Sequence, residues 1–184
     1  MRIIGGSAKG VRLGAVPPGT RPVADRAREG LFSSLGARVA GSVVLDLYAG
    51  TGALGIEALS RGATEAVFVD SARACAKAIR DNLERASFAE RATVVTGDVL
   101  AYLRKAAGTA ADIVFADPPY DHDAGTIEPM LRELATGHTA EGCTVVLTRG
   151  KGSSAPSVPL HWAVARQLHY GDSLVLLYRE VGWA

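Results

Sequence analysis

Four consecutive residues, Asp117-Pro118-Pro119-Tyr120, carry the densest chemistry in this 184-residue chain. They follow the apolar run Asp112 to Ala116, so they read as a rigid corner at the end of a strand. Two prolines remove two N–H donors and hold the backbone extended, which fixes the carbonyls between an acidic and an aromatic side chain. An acceptor-rich site with one aromatic face suits an exocyclic amino group on a planar base. Asp117 and the Pro118 carbonyl can accept its two N–H bonds, and Tyr120 can stack on the ring. Such an amine is a poor nucleophile because its lone pair is delocalised, so bonds that favour a pyramidal nitrogen stabilise the transition state more than the ground state. The plainer alternative for the tetrapeptide is a strand-ending turn with a partly buried tyrosine.

A second group lies upstream. Asp46-Leu47-Tyr48-Ala49-Gly50-Thr51-Gly52-Ala53-Leu54-Gly55 contains a GxGxxG between a strand-like and a helix-like run, and Asp70 with Ser71 follows the next strand-like run. Glycines allow a tight turn and close approach of a ligand to the backbone, while an acid at this spacing can bond a ribose hydroxyl. A dinucleotide enzyme would use the loop for pyrophosphate. An S-adenosylmethionine (SAM) enzyme has no phosphate to place and would use it for the amino-acid end of the cofactor. Asp46 favours SAM, because a carboxylate there repels pyrophosphate and attracts an ammonium. Gly97-Asp98-Val99 offers a further polar group near the position of an adenine ring, with a helix cap as the alternative for Asp98. A glycine turn that only packs helix on strand is the corresponding alternative for the loop.

These residues need a scaffold, and the pattern from Ser42 onward supplies one. Val43 to Leu47, Ala66 to Asp70, Thr93 to Thr96, Asp112 to Ala116 and Thr144 to Thr148 read as buried strands. Helical spacing lies between them, near 53–61, 71–87, 98–107 and 124–137. Trp162 to His169 and Ser173 to Tyr178, separated by Tyr170-Gly171-Asp172, read as a closing hairpin. The expected fold is α/β, a seven-stranded sheet that is mostly parallel with a C-terminal antiparallel hairpin and a ligand crevice at the carboxyl ends of its central strands. Ahead of it, Arg2 to Val16 reads as a short β-ribbon, Pro17-Pro18-Gly19 as a break, and Ala24 to Val39 as an amphipathic helix. This divides the chain into an N-terminal arm, 1–39, and a body, 40–184.

Composition separates the same two parts. The whole chain carries +1, with 48% hydrophobic and 21% charged residues, which suits one packed core. Residues 1–39 hold seven basic groups against Asp25 and Glu29, a net of +5, and the other residues sum to −4. A basic arm on an acidic body points to a phosphate-bearing partner for the arm. Cys75 and Cys143 lie far apart, and His122, His138, His161 and His169 are scattered, so neither a disulfide framework nor a metal site is expected. No run reaches the roughly 18 apolar residues of a membrane span. A cytoplasmic monomer is the expectation.

Taken together, Asp46 to Gly55, Asp70, Asp98 and Asp117 to Tyr120 resemble the ordered motifs of class I SAM-dependent methyltransferases that act on exocyclic amines. Arg2-Ile3-Ile4-Gly5-Gly6, Gly10-Val11-Arg12-Leu13 and the run from Arg21 to Phe32 are similar to the opening of the RsmD-type 16S ribosomal RNA guanine-N2 methyltransferases. The resemblance implies a Rossmann-like methyltransferase sheet and SAM as cofactor. It also implies a guanine N2 target in 16S rRNA, presented in an assembled or assembling small subunit. It makes Asp117, Pro118, Pro119 and Tyr120 the catalytic corner. Asp46, Tyr48, Ala49, Gly50, Thr51, Gly52, Gly55, Asp70, Ser71, Asp98 and Val99 become the cofactor site. Arg2, Lys9, Arg12, Arg21, Arg26 and Arg28 become RNA contacts, although Arg26 and Arg28 could instead pair with body carboxylates such as Asp46 or Asp98. Thr148-Arg149-Gly150 departs from a more acidic strand end, which leaves that region without an assigned role. The competing readings are a DNA or RNA adenine-N6 methyltransferase, an NAD-dependent oxidoreductase and a non-catalytic RNA-binding assembly factor. A DNA enzyme needs an element to read a groove, for which only about 40 residues are available here.

Overall fold

The computed structural model describes residues 1–14, 24–105, 108, 110–119 and 122–180. Strands β1 (Val43–Leu47), β2 (Glu65–Asp70), β3 (Ala92–Thr96), β4 (Ala111–Ala116), β5 (Thr139–Gly150), β6 (Trp162–Tyr170) and β7 (Ser173–Glu180) form one sheet in the order β3-β2-β1-β4-β5-β7-β6. The first five run parallel, and β7 lies antiparallel between β5 and β6. The helices are α1 (Asp25–Leu35), α2 (Ala53–Ser60), α3 (Arg73–Ala86), α4 (Val99–Lys105) and α5 (Ala124–Gly137). The chain winds outward from β1 to β3 and then returns to lay β4 on the other side of β1. That reversal opens a crevice at the carboxyl ends of β1 and β4.

Alternate residues of the central strands feed two cores, as the two-residue period of a strand dictates. On one face Val44, Phe68, Ile113 and Phe115 pack with Leu31, Phe32, Ile56 and Ile79. On the other, Leu45, Leu47, Val114 and Leu147 pack with Leu103, Ile127, Met130 and Leu131. Two elements differ from expectation. The first helix ends at Leu35, because Gly36 takes φ 56° and hands the chain to a 3-10 turn, Gly36–Val39. Strand β5 begins at Thr139, five residues early, with Gly142 at φ 74° absorbing a register shift against β4.

The arm is built into the body. Its ribbon reduces to one antiparallel bridge, Arg2 to Arg12, with Ile3 N–H donating to the Val11 carbonyl (3.0 Å) and Leu13 N–H to that of Met1 (3.1 Å). The Pro17-Pro18-Gly19 break and Arg21 lie outside the described residues. Ile3, Leu13, Leu31 and Leu35 join the core of α2 and α3. Polar fasteners set the register. Glu57, wholly buried on α2, accepts the N–H groups of Ile4 and Gly5 (both 2.8 Å) and the Arg61 guanidinium (2.8 Å). Ser60 takes the Ala8 N–H (3.0 Å) and donates to the Gly5 carbonyl (2.6 Å), while Asn82 of α3 takes the Gly14 N–H (2.7 Å). Gly6 sits at φ 77° against the Ser60 carbonyl, where a methyl group would overlap that oxygen. At the other end, α1 approaches the hairpin so closely at Gly30 that a side chain there would collide with the Tyr170 hydroxyl.

Removal of Glu57 leaves two arm N–H groups and a buried guanidinium without their acceptor. The Glu57→Ala variant is expected to lose about 3–5 kcal/mol of unfolding free energy, read as a lower urea midpoint. A change below about 1 kcal/mol would show that the arm is not held through this carboxylate.

Candidate active site

Strand ends β2, β1 and β4 are neighbours in the sheet, so Asp70, Asp46 and Asp117 converge on one edge. Each is tied to backbone. The Asp46 carboxylate accepts the Gly55 N–H (2.9 Å) in the first turn of α2, where a helix start favours negative charge. Asp70 accepts the Gly50 N–H (2.8 Å) with one oxygen and the Ala72 N–H (2.9 Å) with the other. A carboxylate oxygen has two lone pairs, so both side chains keep capacity for a ligand. Gly50 and Gly52 stand at φ 58° and 74°, and Gly55 faces the Phe68 ring where a Cβ would clash. These are the turn and the close helix-on-strand contact that the glycine spacing implies.

Four of the loop's donors are taken. Ala49 N–H bonds the Val69 carbonyl, Gly52 N–H that of Ala49, Gly50 N–H goes to Asp70 and Gly55 N–H to Asp46. At these positions the groups that a pyrophosphate cradle would use are occupied, two of them by carboxylates. Burial pushes Asp46 well above the usual carboxylate range against the pull of the Gly55 N–H, and the charges of Asp117 and Asp70 add to the push. Asp117 is raised to about 6 by burial, opposed by a hydrogen bond from the Thr148 hydroxyl. An edge of carboxylates attracts a cationic ligand and repels an anionic one.

The Asp98 carboxylate accepts the Ala101 N–H (2.8 Å), the helix cap offered as its alternative reading. Ser71 is exposed, Thr51 is buried in the loop, and Val99 packs its side chain into the second core. Tyr48 takes a left-handed φ of 56° and meets the His122 ring edge-on at 5.8 Å. Pro118 is buried and Pro119 exposed, and Tyr120 lies outside the described residues.

On the arm, Arg2, Lys9, Arg12 and Arg26 are exposed. Arg28 corrects the expectation of an RNA contact. It is wholly buried, its Nη2 donates to the Arg2 carbonyl and to Asp25 (both 2.7 Å), and its Nη1 lies 3.9 Å from Glu57. It does fasten the arm, but through these carboxylates and not through Asp46 or Asp98. Three contributors have no role assigned from the sequence: Glu57, which it does not single out, and Thr148 and Arg149, which it marks only as a departure. Thr148 had a signal, because Ala116 pairs with Leu147 and the next residues along the two parallel strands are Asp117 and Thr148.

Many nucleotide-binding enzymes share a reversing parallel sheet. Carboxylates converging at the reversal suit the SAM-dependent methyltransferases among them, and that is the class of this protein. Its sequence then fixes the family: residues 1–179 match the model described as conserved hypothetical protein 95, and the chain belongs to that family. It is 36% identical to the ribosomal RNA small subunit methyltransferase D of Escherichia coli K12 over 98% of this chain and 90% of the relative. Identity is also 36% to the protein of that name from Haemophilus influenzae, over 98% and 94%. Among solved structures, Escherichia coli yhhF superposes with a TM-score of 0.88 at 35% identity, covering 98% of this chain and 97% of the other. Among the described residues no group of acidic, His and Cys side chains is placed to hold a metal ion, and no helix is long and apolar enough to cross a membrane.

The raised Asp117 has a consequence for stability. Its folded form binds a proton more tightly than the unfolded chain, so stability falls as pH rises from about 4 to 6 and the cost of burying the charge is complete above that. Asp117→Asn is expected to gain about 1–3 kcal/mol over the parent at pH 8 and to match it near pH 4, measured by paired denaturant titrations. A constant difference across that range would refute the assignment.

Proposed function

We propose that this protein transfers a methyl group from SAM to the exocyclic N2 of a guanine in 16S rRNA, within an assembled or assembling small subunit in the cytoplasm. The convergence of Asp46, Asp70 and Asp117 on one edge carries the reading, supported by the activity named for its relatives. The residues present fit the cofactor: an ammonium and a sulfonium suit a carboxylate edge, and a dinucleotide pyrophosphate does not.

SAM supplies an activated methyl on a sulfonium, whose displacement by nitrogen leaves a neutral thioether. The chain's own residues do the positioning. Asp46 holds the glycine turn to α2 and presents negative charge toward the ammonium, and Asp70 shapes the same turn beside the ribose. Asp117, ionised above pH 6 and steadied by Thr148, accepts one N–H of the amine and takes up the proton that the methylated nitrogen sheds. The Pro118 carbonyl accepts the other N–H, and Tyr120 stacks on the base. Alignment of this kind can supply roughly 7–11 kcal/mol of the barrier, so no strong base is required. The arm, residues 1–39, grips phosphates through Arg2, Lys9, Arg12 and Arg26. A base in an RNA loop swings into the pocket at less unstacking cost than one in a duplex.

Tritiated methyl transfer to small subunits that lack the modification tests this, with nucleoside analysis of the product. N2-methylguanosine is the expected product, Asp117→Ala should lose at least about 100-fold in rate, and a methyladenine product would replace this reading with its nearest rival. Charge reversal of Lys9 and Arg12 together is expected to raise KM for subunits about tenfold and flatten the salt dependence, with SAM affinity unchanged. Equal loss of SAM binding would place those residues elsewhere than on RNA.

A further inference from the structure

Arg149 is the penultimate residue of strand β5 and is 4% exposed, and its guanidinium donates from Nη1 to the main-chain carbonyl of His122 at 2.8 Å. Among the described residues its Nε is buried without a partner. Burial disfavours its charge, with the Tyr178 and Asp123 side chains partly offsetting this. A guanidinium so poorly compensated costs stability, and an apolar side chain of similar volume would cost less. Its place in the fold offers another use.

His122 lies three residues beyond Pro119, and its N–H donates to the Pro119 carbonyl at 3.0 Å. His122 is therefore bonded through its N–H to the corner and through its carbonyl to Arg149. Beyond it Asp123 caps α5, accepting the Thr126 N–H at 2.9 Å. Asp117 is anchored as well, by its N–H to the Leu47 carbonyl (3.4 Å) and by Thr148. Thr148 and Arg149 thus hold Asp117 and His122 from adjacent positions of one strand. The His122 ring also meets the Tyr48 ring edge-on.

We infer that Arg149 is a positioning residue for methyl transfer: by holding His122, whose N–H bonds the Pro119 carbonyl, it steadies the corner that presents the target base to Asp117 and Pro118. This rests on the proposed function for what the corner binds, but the strut itself is a matter of geometry. It also gives a task to the strand end at which the sequence departs from its family.

Arg149→Met removes the donor and keeps the volume, and Arg149→Lys keeps the charge and loses the fork. Three readouts separate positioning from mere packing. Hydrogen exchange of SAM-free protein should be at least tenfold faster at the His122 amide in Arg149→Met, with β5 and β7 unchanged and Tm not lowered. The affinity for SAM should stay within twofold of the parent. The kcat per SAM-titrated site should fall at least tenfold, with partial recovery in Arg149→Lys. Unchanged exchange at His122 overturns the inference, as does a lowered Tm accompanied by parental kcat per active site. Where Arg149→Met fails to fold, Arg149→Lys decides by the same exchange: faster exchange at His122 with β5 and β7 unchanged supports the strut, and none overturns it. A parent protein that binds SAM without methylating small subunits overturns the proposed function alone, because the exchange measurement needs no RNA.

Discussion

Negative charge at the carboxyl edge of a parallel sheet is the constraint that organises this molecule. Parallel strands end side by side, so Asp46, Asp70 and Asp117 are brought together by pairing that has nothing to do with their chemistry. Desolvation raises Asp46 and Asp117, and the charges of Asp117 and Asp70 add to the push on Asp46. The surrounding backbone answers with donors: the Gly50, Gly55 and Ala72 N–H groups and the Thr148 hydroxyl. The glycine turn is therefore shaped by the acids as much as the acids are placed by the turn. What remains unneutralised is a standing demand for a cation, which a sulfonium with an ammonium meets.

Helix α2 links this edge to the arm. Its first turn receives Asp46, and its last turns offer Glu57 and Ser60 to residues 4–8. Eight residues thus serve two interfaces from opposite ends, and every one of them is buried. Asn82 repeats the pattern on α3, accepting the Gly14 N–H with its oxygen and donating to the Thr51 carbonyl in the glycine loop. The arm and the cofactor loop share rigid supports, so a displacement of one is opposed by the packing of the other.

The strands and the glycine turn were legible because their signals are local. Continuous apolar runs mark strands buried on both faces, and Gly-x-Gly before a helical period marks the turn. The end of α1 was legible in principle, since Gly36 is a ready helix stop, but the apolar period running through Val39 masked it. The early start of β5 was not, because Glu141-Gly142 looks like a loop until Thr139 finds its partner Ala111 in the sheet. Glu57, Arg28 and Arg149 illustrate the limit for charged groups. Glu57 and Arg28 each have one partner close in sequence, Arg61 and Asp25, as a solvated helix charge would, whereas the contacts that make the three residues fasteners span 52, 29 and 27 positions, to Gly5, Glu57 and His122 respectively.

The cancellation of charge in the whole chain also acquires a physical sense. An edge of carboxylates that draws in a sulfonium must also repel an RNA backbone, and at physiological salt the repulsion reaches about 8 Å. A nucleic acid substrate can satisfy both conditions when its phosphates stay on the cationic arm and only a neutral base crosses into the crevice. Separation of +5 from −4 along the chain does this, provided that the arm is held rigidly to the body. The buried Glu57–Arg28 pair supplies that rigidity at the expense of one cation that would otherwise face RNA. Five exposed basic residues in the described part of the arm, Arg2, Lys9, Arg12, Arg26 and Arg38, are too few to read a sequence. On the proposed reading, selection of the guanine then falls to the shape of the folded RNA that can set its backbone on the arm and its base in the corner at once.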